Sequence, residues 1–430
     1  MTQRTRRLTV RSLARVEGEG ALRITVHEGQ VQRADLKIYE PPRFFEAFLR
    51  GRQYTEPPDI TARVCGICPV AYQMSACQAI EDACGVRVNG PLADLRRLLY
   101  CGEWISSHAL HIYFLHAPDF LGYPDAISLA TDHQDFVERG LALKKAGNAI
   151  MELVGGRAIH PINVRLGGFY RTPARAELAP LAERLRLALD DALATVRVVS
   201  SFDFPDVELD YNLLAVHQDD CYAIDRGELR STGGLTFGVA DFTEHVVENQ
   251  VPHSTALHAR LDGHRYLTGP LARYTLNSGQ LSPTARQAAT MAGLGAQCRN
   301  PFRSIVVRAV EVVYALDEAL RLIADYEPPE RACVDVPPRA ATGHGVTEAP
   351  RGLLYHRYEL DTDGLIRSST IIPPTAQNQD AIEDDLRRLV SGNLHLDDLA
   401  LTALCEQAIR NYDPCISCST HFLRLTVEHR

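Results

Sequence analysis

From Leu8 to Tyr39 apolar and polar residues alternate around Gly18, Gly20 and the turn His27-Glu28-Gly29-Gln30, and a period of two predicts a small antiparallel sheet. After Pro41 and Pro42 the period changes. Phe44 to Leu49 reads as a short helix stopped by Gly51. Pro69 suits the first turn of a helix running to about Cys84, with Gly85 as its stop and Val70, Met74, Cys77, Ile80, Ala83 and Cys84 on one face. The spacing of Leu92, Leu95, Leu99, Ile105, Leu110, Tyr113 and Phe114 predicts a long core helix from Pro91 to about Ala117. Further helices are expected over about 132–154, closed by Gly155-Gly156, over 177–199, and over 282–326 with a break before Pro301. Residues 204–280 carry no clear period and are expected to form variable surface structure. A strand region begins at Gly343 and returns through Asp361-Thr362-Asp363-Gly364, and helices at about 379–391 and 397–411 deliver the chain to Asp413. The pattern is that of an α+β protein, mostly helical, with a bundle of long helices at its core and small peripheral antiparallel sheets.

Composition narrows the class. The 430 residues, with 45% hydrophobic content and a net charge of −9, can bury a large core, taken here as one domain: a β region over 8–40, a helical core over 43–326, and a C-terminal β region with a ligating segment over 334–421. No apolar run approaches the roughly 18 to 20 residues a membrane-spanning helix needs, and the basic start has no apolar stretch of a signal peptide, so a cytoplasmic location is expected. No block of Lys and Arg marks a nucleic-acid surface. Eleven cysteines, an odd number, argue for free thiols and metal ligands over a disulfide framework.

Two Cys-x-x-Cys pairs stand out, Arg63-Val64-Cys65-Gly66-Ile67-Cys68 and Asp413-Pro414-Cys415-Ile416-Ser417-Cys418-Ser419-Thr420-His421. Together they offer four thiolates for a soft or borderline metal. Zinc ribbons usually keep their pairs within about 12 to 20 residues, whereas nearly the whole chain lies between these two. A thioredoxin-like pair would need a strand before it and a helix after it, which the first and second pairs respectively lack. Cys77 and Cys84 read as packed core thiols, and His108, His111 and His116 as core or interface histidines. Gly167-Gly168 lacks the rest of a dinucleotide fingerprint.

Jointly the two pairs, with their flanking Arg, Gly, Asp, Pro and His, resemble the two signatures of the large subunit of nickel-iron hydrogenases. Arg15-Val16-Glu17-Gly18, Glu348-Ala349-Pro350-Arg351-Gly352 and Ile371-Ile372-Pro373-Pro374-Thr375-Ala376-Gln377-Asn378 resemble further blocks of that family. The resemblance implies that Cys65 and Cys415 bind nickel terminally, while Cys68 and Cys418 bridge it to an iron carrying carbon monoxide and cyanide. Two groups could accept the proton, the Cys415 thiolate and the Arg351 guanidine; a guanidinium is a poor base, so Cys415 is assigned as acceptor, with Glu17 as the next relay and Arg351 as a cation above the metals, clamped by Asp119 and Asp413. Pro350, Pro373 and Thr375 fall in the loops it places around the diatomic ligands. Glu46, the Ile371 backbone and His421 are implied as ligands of magnesium or another buried divalent ion. Tyr72 stands where the family commonly has a histidine four residues after the second cysteine, so any role of that histidine passes to a phenol, which can donate a hydrogen bond but is no base near neutral pH.

No cysteine spacing suits an iron-sulfur cluster, so an iron-sulfur small subunit is implied to carry electrons away. The compact length and Asp-Pro-Cys-Ile-Ser-Cys look most like the soluble bidirectional group, whose further subunits bear flavin and react with NADP(H) or NAD(H), some with sulfur or polysulfide reductase activity. A nickel-insertion apparatus and a maturation endopeptidase, cutting after His421 to remove 422–430, are implied partners. Alternative readings within the family are a hydrogen-sensing regulator or the large subunit of a membrane complex.

Overall fold

The computed structural model describes residues 5–41, 44–208 and 210–420. His421 and the 422–430 tail lie outside the described residues. The N-terminal alternation folds into strands Thr5–Val10, Gly20–His27 and Gln30–Ile38, paired antiparallel in chain order. Glu28 and Gly29, at φ 49° and 74°, make the tight connection between the last two, with the backbone twist that hairpins favour.

The core is a bundle of the helices Pro69–Cys84, Pro91–Leu110, Gln134–Gly155, Arg175–Ser200 and Ser304–Ala324. Pro91–Leu110 lies against both Gln134–Gly155 and Ser304–Ala324. Its crossing with the former needs two glycines: a Cβ on Gly102 would stand 2.9 Å from the Gly147 carbonyl, and one on Gly147 would stand 2.6 Å from the Gly102 carbonyl. The 282–326 stretch is interrupted as expected, into Pro283–Met291 and Ser304–Ala324. The helix expected to reach Ala117 stays α-helical only to Leu110. His111–His116 form a wider π turn ahead of Ala117–Leu121, next to Pro118, which has no N–H to return to residue 114.

Residues 204–280 differ from expectation. They build a four-stranded sheet in the order Tyr266–Leu267, Asn212–His217, Glu228–Ser231, Thr236–Phe237, whose first pair is parallel. Leu214, Val216, Leu229, Phe242 and Tyr266 form a second buried cluster with Leu353 and Tyr355. The strands are short and one pairing joins distant segments, so no local period betrays them.

The C-terminal strands Ala341–Ala349, Gly352–Leu360 and Ile366–Ile372 form an antiparallel sheet in chain order, and Ala349 pairs with Gly352, leaving Pro350-Arg351 as a two-residue turn. The first of them lies directly on the Pro69–Cys84 helix: a Cβ on Gly343 would be 2.1 Å from the Ala79 carbonyl, and one on Gly345 2.5 Å from that of Ser75. Only glycine permits this approach, which fixes the Arg351 turn relative to the start of the helix. The last helices run Pro374–Gly392 and Asp398–Arg410. The former begins ahead of the expected 379 because Pro374 can occupy the first helical position. Among the described residues no helix is long and apolar enough to cross a membrane.

Candidate metal centre

Cys68 immediately precedes the Pro69–Cys84 helix, so the bundle holds the first Cys-x-x-Cys pair in place. The second is held by the N-terminal loop, where Ile416 N–H donates to the Glu17 carbonyl at 3.0 Å, and by Thr375, whose hydroxyl accepts from Cys415 N–H at 3.0 Å. A single helical turn, Ile416–Ser419, follows Cys415, although no helix was expected there. The four sulfurs converge in the interior: Cys65 to Cys415 is 3.4 Å, Cys68 to Cys418 3.6 Å and Cys415 to Cys418 2.9 Å. All four are buried and none is in a disulfide.

Four thiols this close in a dry site cannot all ionise. Donation from Cys415 first, then from Cys418 and Cys68, holds the Cys65 thiol well below its ordinary range, whereas burial pushes Cys415 well above it. A soft or borderline cation among them would relieve that conflict by replacing the thiol protons, so the donor set fits a thiolate-bound metal. Cys77, by contrast, is pushed up by burial to about 12 and stays a core thiol.

Arg351 is 2% exposed. Its Nε donates to the Asp413 carbonyl at 2.8 Å, Nη2 lies 3.1 Å from the Asp413 carboxylate, and Nη1 reaches Ser107 Oγ at 3.4 Å. Burial works against its charge, but Asp413 and the sulfurs of Cys415, Cys68 and Cys65 outweigh it and hold the guanidinium well above its ordinary range. It remains a cation. Pro350, beside it in the turn, is buried and its carbonyl accepts from Arg273 Nη2 at 2.9 Å; Pro373 is buried and caps the helix that carries Thr375.

Asp119 is not the partner of Arg351 that the resemblance implied. Its carboxylate takes a two-point fork from Arg410, Nε at 2.7 Å and Nη2 at 2.8 Å, and a further bond from Arg15 Nη2 at 2.5 Å. Arg410 ends its helix three residues before Asp413 and Arg15 lies two residues before Glu17, so Asp119 braces both ligating segments against the bundle. The Nε and Nη2 of Arg351 are both taken by Asp413, and Asp119, on the Ala117–Leu121 helix, is filled by Arg410 and Arg15.

Glu17 Oε2 lies 3.1 Å from Cys415 Sγ and accepts Ser417 N–H at 3.0 Å. Burial pushes its carboxyl up, and the charge of Cys65 adds to the effect. The same serine reaches Glu40: its hydroxyl donates to Glu40 Oε2 at 3.2 Å. Tyr72 is buried, and burial with the Cys418 and Cys68 charges keeps its phenol protonated. Glu46 Oε1 accepts Ile371 N–H at 2.7 Å, so these two implied members of a divalent site are adjacent. His108 and His111 are core histidines, the former 2.9 Å from Glu311 Oε2 and the latter 2.7 Å from the Arg410 carbonyl.

Sequence reading missed Glu40, Ser417, Glu103, Ser107, Arg15 and Arg410. Arg15 and Ser417 stand inside the motifs themselves, and Glu103 left a trace as a charge four residues after Leu99 on an apolar helix face; its carboxylate accepts Val70 and Ala71 N–H at 2.6 and 3.1 Å, capping the helix behind Cys68.

Four cysteines alone would also suit structural zinc, but zinc has no use for a buried arginine over the sulfurs or a carboxylate bonded to one of them. Comparison with known proteins decides between them. Residues 43–157 match the nickel-dependent hydrogenase family. The chain is 32% identical to sulfhydrogenase 1 subunit alpha of Pyrococcus furiosus, over 97% of this chain and 98% of that one, and 34% identical to sulfhydrogenase 2 subunit alpha of the same organism, over 96% and 98%. A crystal structure of an NAD+-reducing NiFe-hydrogenase in the H2-reduced state superposes with a TM-score of 0.87 at 28% identity, covering 97% of this chain and 99% of that one. The fold and the four-sulfur site define a hydrogenase large subunit. The chain belongs to the nickel-dependent hydrogenase family, as the catalytic large subunit of a nickel-iron enzyme.

Proposed function

We propose that this chain catalyses reversible heterolytic cleavage of dihydrogen, with electrons leaving to an iron-sulfur small subunit and onward through a flavin subunit to NADP(H) or NAD(H). The observation that carries the mechanism is the 3.1 Å contact between Cys415 Sγ and Glu17 Oε2 beneath a buried arginine. Nickel and iron, held by Cys65, Cys68, Cys415 and Cys418 with carbon monoxide and cyanide on the iron, would supply the Lewis acid that polarises dihydrogen. The rest falls to the protein. Cys415 Sγ takes the proton, and Glu17 Oε2 receives it with a carboxyl that burial has already made a better acceptor. Ser417 Oγ, between Glu17 and Glu40, gives the proton a next step towards the surface. Arg351 is no base at its raised pKa; it is a fixed positive charge aimed by Asp413, with Pro350, Pro373 and Thr375 closing the site to water. Tyr72, kept protonated beside the Cys418 and Cys68 charges, is read as the donor that stands in the place of the family's histidine. Glu46, the Ile371 backbone and His421 are read as the setting for magnesium or a similar ion.

NAD(P) linkage is supported by the relatives: an NAD-reducing hydrogenase HoxS subunit beta of Cupriavidus necator is 27% identical over 97% of this chain and 95% of that one. Sulfur or polysulfide reduction is read from the sulfhydrogenase relatives. A cytoplasmic location and a single domain complete the proposal, the latter supported by one buried cluster that runs from Leu8 to Cys418. The small subunit is placed where Cys65 nears the surface. There Arg63 and Gly66 are exposed, the His160 ring bonds the Ala62 carbonyl at 2.8 Å, and Ile159 and Ile162 flank it at 56% and 53% exposure.

Glu17→Gln tests the relay. It keeps the shape and loses the acid, so we expect hydrogen uptake and H/D exchange to fall by about 100-fold or more with nickel and iron still bound. Full uptake and exchange in this variant would remove Glu17 from the proton path. Glu40→Gln should slow turnover less, since a surface-side step has solvent alternatives.

A further inference from the structure

Away from the four sulfurs, His253 and His258, five residues apart on a loop and the strand that follows it, come together with Glu383 from a distant helix. One ring nitrogen of each histidine and a Glu383 carboxylate oxygen all lie within 4.8 Å of one another. Glu383 sits on the Pro374–Gly392 helix with its side chain 3% exposed; its Oε1 is 2.7 Å from His253 Nε2 and accepts Leu36 N–H, from the N-terminal sheet, at 2.9 Å. His258 opens the strand His258–Leu261 and is 5% exposed, and its Nε2 has no hydrogen-bond partner. The two rings stand nearly perpendicular at 82°, with centroids 5.6 Å apart.

Two observations are hard to account for by ordinary core packing. A buried imidazole nitrogen without a partner has given up its hydration with nothing in return. The buried Glu383 carboxylate also has no arginine or lysine among the described residues: Arg33 pairs with Asp35, and Arg260 and Arg265 both pair with Asp380, so His253 is the one cationic partner within reach. A divalent cation resolves both, taking a lone pair from each histidine and the charge of the carboxylate.

We propose that His253, His258 and Glu383 form a second metal site, for a borderline first-row divalent cation of the zinc type. Two imidazoles and a carboxylate are a zinc donor set, leaving a fourth position for water on the side of the cleft lined by Lys37–Tyr39 and Gln250–Thr255. The cation ties the N-terminal sheet and the His258 strand to the helix whose first turn carries Thr375, the residue bonded to Cys415 N–H. Its role is to pin that helix, not to take part in hydrogen chemistry.

The test uses the purified complex with its nickel-iron centre loaded, so that the four sulfurs cannot take up the probe. Zinc is titrated by calorimetry, and metals are counted after desalting. Wild type should hold one equivalent of zinc beyond nickel and iron and should melt at higher temperature with zinc than after treatment with chelator. His258→Gln and Glu383→Gln should each bind zinc at least tenfold more weakly, lose the zinc-dependent shift in melting, and keep nickel, iron and hydrogen uptake. Should Glu383→Gln not fold, His253→Gln, at a part-exposed position, carries the same expectation. No extra equivalent in wild type, or zinc binding equal in wild type and the variants, would overturn the site and leave a histidine-glutamate hydrogen bond.

Discussion

The chemistry at the centre depends on individual atoms, so single substitutions should separate roles cleanly. Cys65→Ser, Cys68→Ser, Cys415→Ser and Cys418→Ser each replace a soft donor with a hard one, and each is expected to abolish hydrogen turnover; turnover in any one removes that cysteine from the ligand set. Cys77→Ala should keep nickel and iron, and cost about 1–2 kcal/mol of stability as a buried side chain is trimmed. Arg351→Lys keeps the charge but cannot donate at once to the Asp413 carbonyl and carboxylate as Nε and Nη2 do. Turnover should fall by about 100-fold, corresponding to roughly 3 kcal/mol of barrier, with the metals retained. Loss of metal in that variant would make the residue structural. At this scale the four cysteines, Glu17, Arg351 and Asp413 were all legible, because they stand in tight local motifs. Asp119 was placed wrongly because its partners, Arg15 and Arg410, are 104 and 291 residues away along the chain.

Helices and hairpins hold these atoms at ångström tolerances through buried polar contacts that local patterns conceal. Arg273, fully buried, donates to the carbonyls of Ala349 and Pro350 at 2.8 and 2.9 Å and pairs with Glu311 and Glu348, fixing the turn that presents Arg351. Glu103 does the same for the helix behind Cys68. Glu103→Ala leaves Val70 and Ala71 N–H in a dry interior without acceptors, at a cost of about 1–3 kcal/mol each. The loaded complex should melt measurably lower and release nickel on milder heating, with Glu103→Gln, which keeps one acceptor oxygen, in between. An unchanged melting curve for Glu103→Ala would show that the helix start is held by packing alone.

For the molecule as a whole, the small subunit proposed above has to dock near where the metal ligands approach the surface. Ile159 and Ile162 are exposed beside the Arg63-Gly66 segment. Charged groups in the apolar middle of an interface are strongly disfavoured. Ile159→Asp with Ile162→Asp should therefore abolish co-elution with the proposed iron-sulfur subunit while the circular dichroism of the chain stays unchanged. Co-elution at wild-type yield would move the docking face elsewhere.

What the sequence by itself determined is local: the alternating strands of the N-terminal sheet, the helix from Pro69 stopped by Gly85, the break before the 304–324 helix, and the two Cys-x-x-Cys pairs whose flanking residues resemble one family. Period, capping and spacing carry that information because each involves residues a few positions apart. Tertiary structure alone decided that the two pairs meet with sulfurs 3.4 and 3.6 Å apart, that Asp119 braces Arg15 and Arg410, that Ser417 joins Glu17 to Glu40, and that residues 204–280 build a packed sheet. These are contacts between segments far apart in the chain. They depend on how the long helices cross and on where glycines let backbones touch, which no local pattern records.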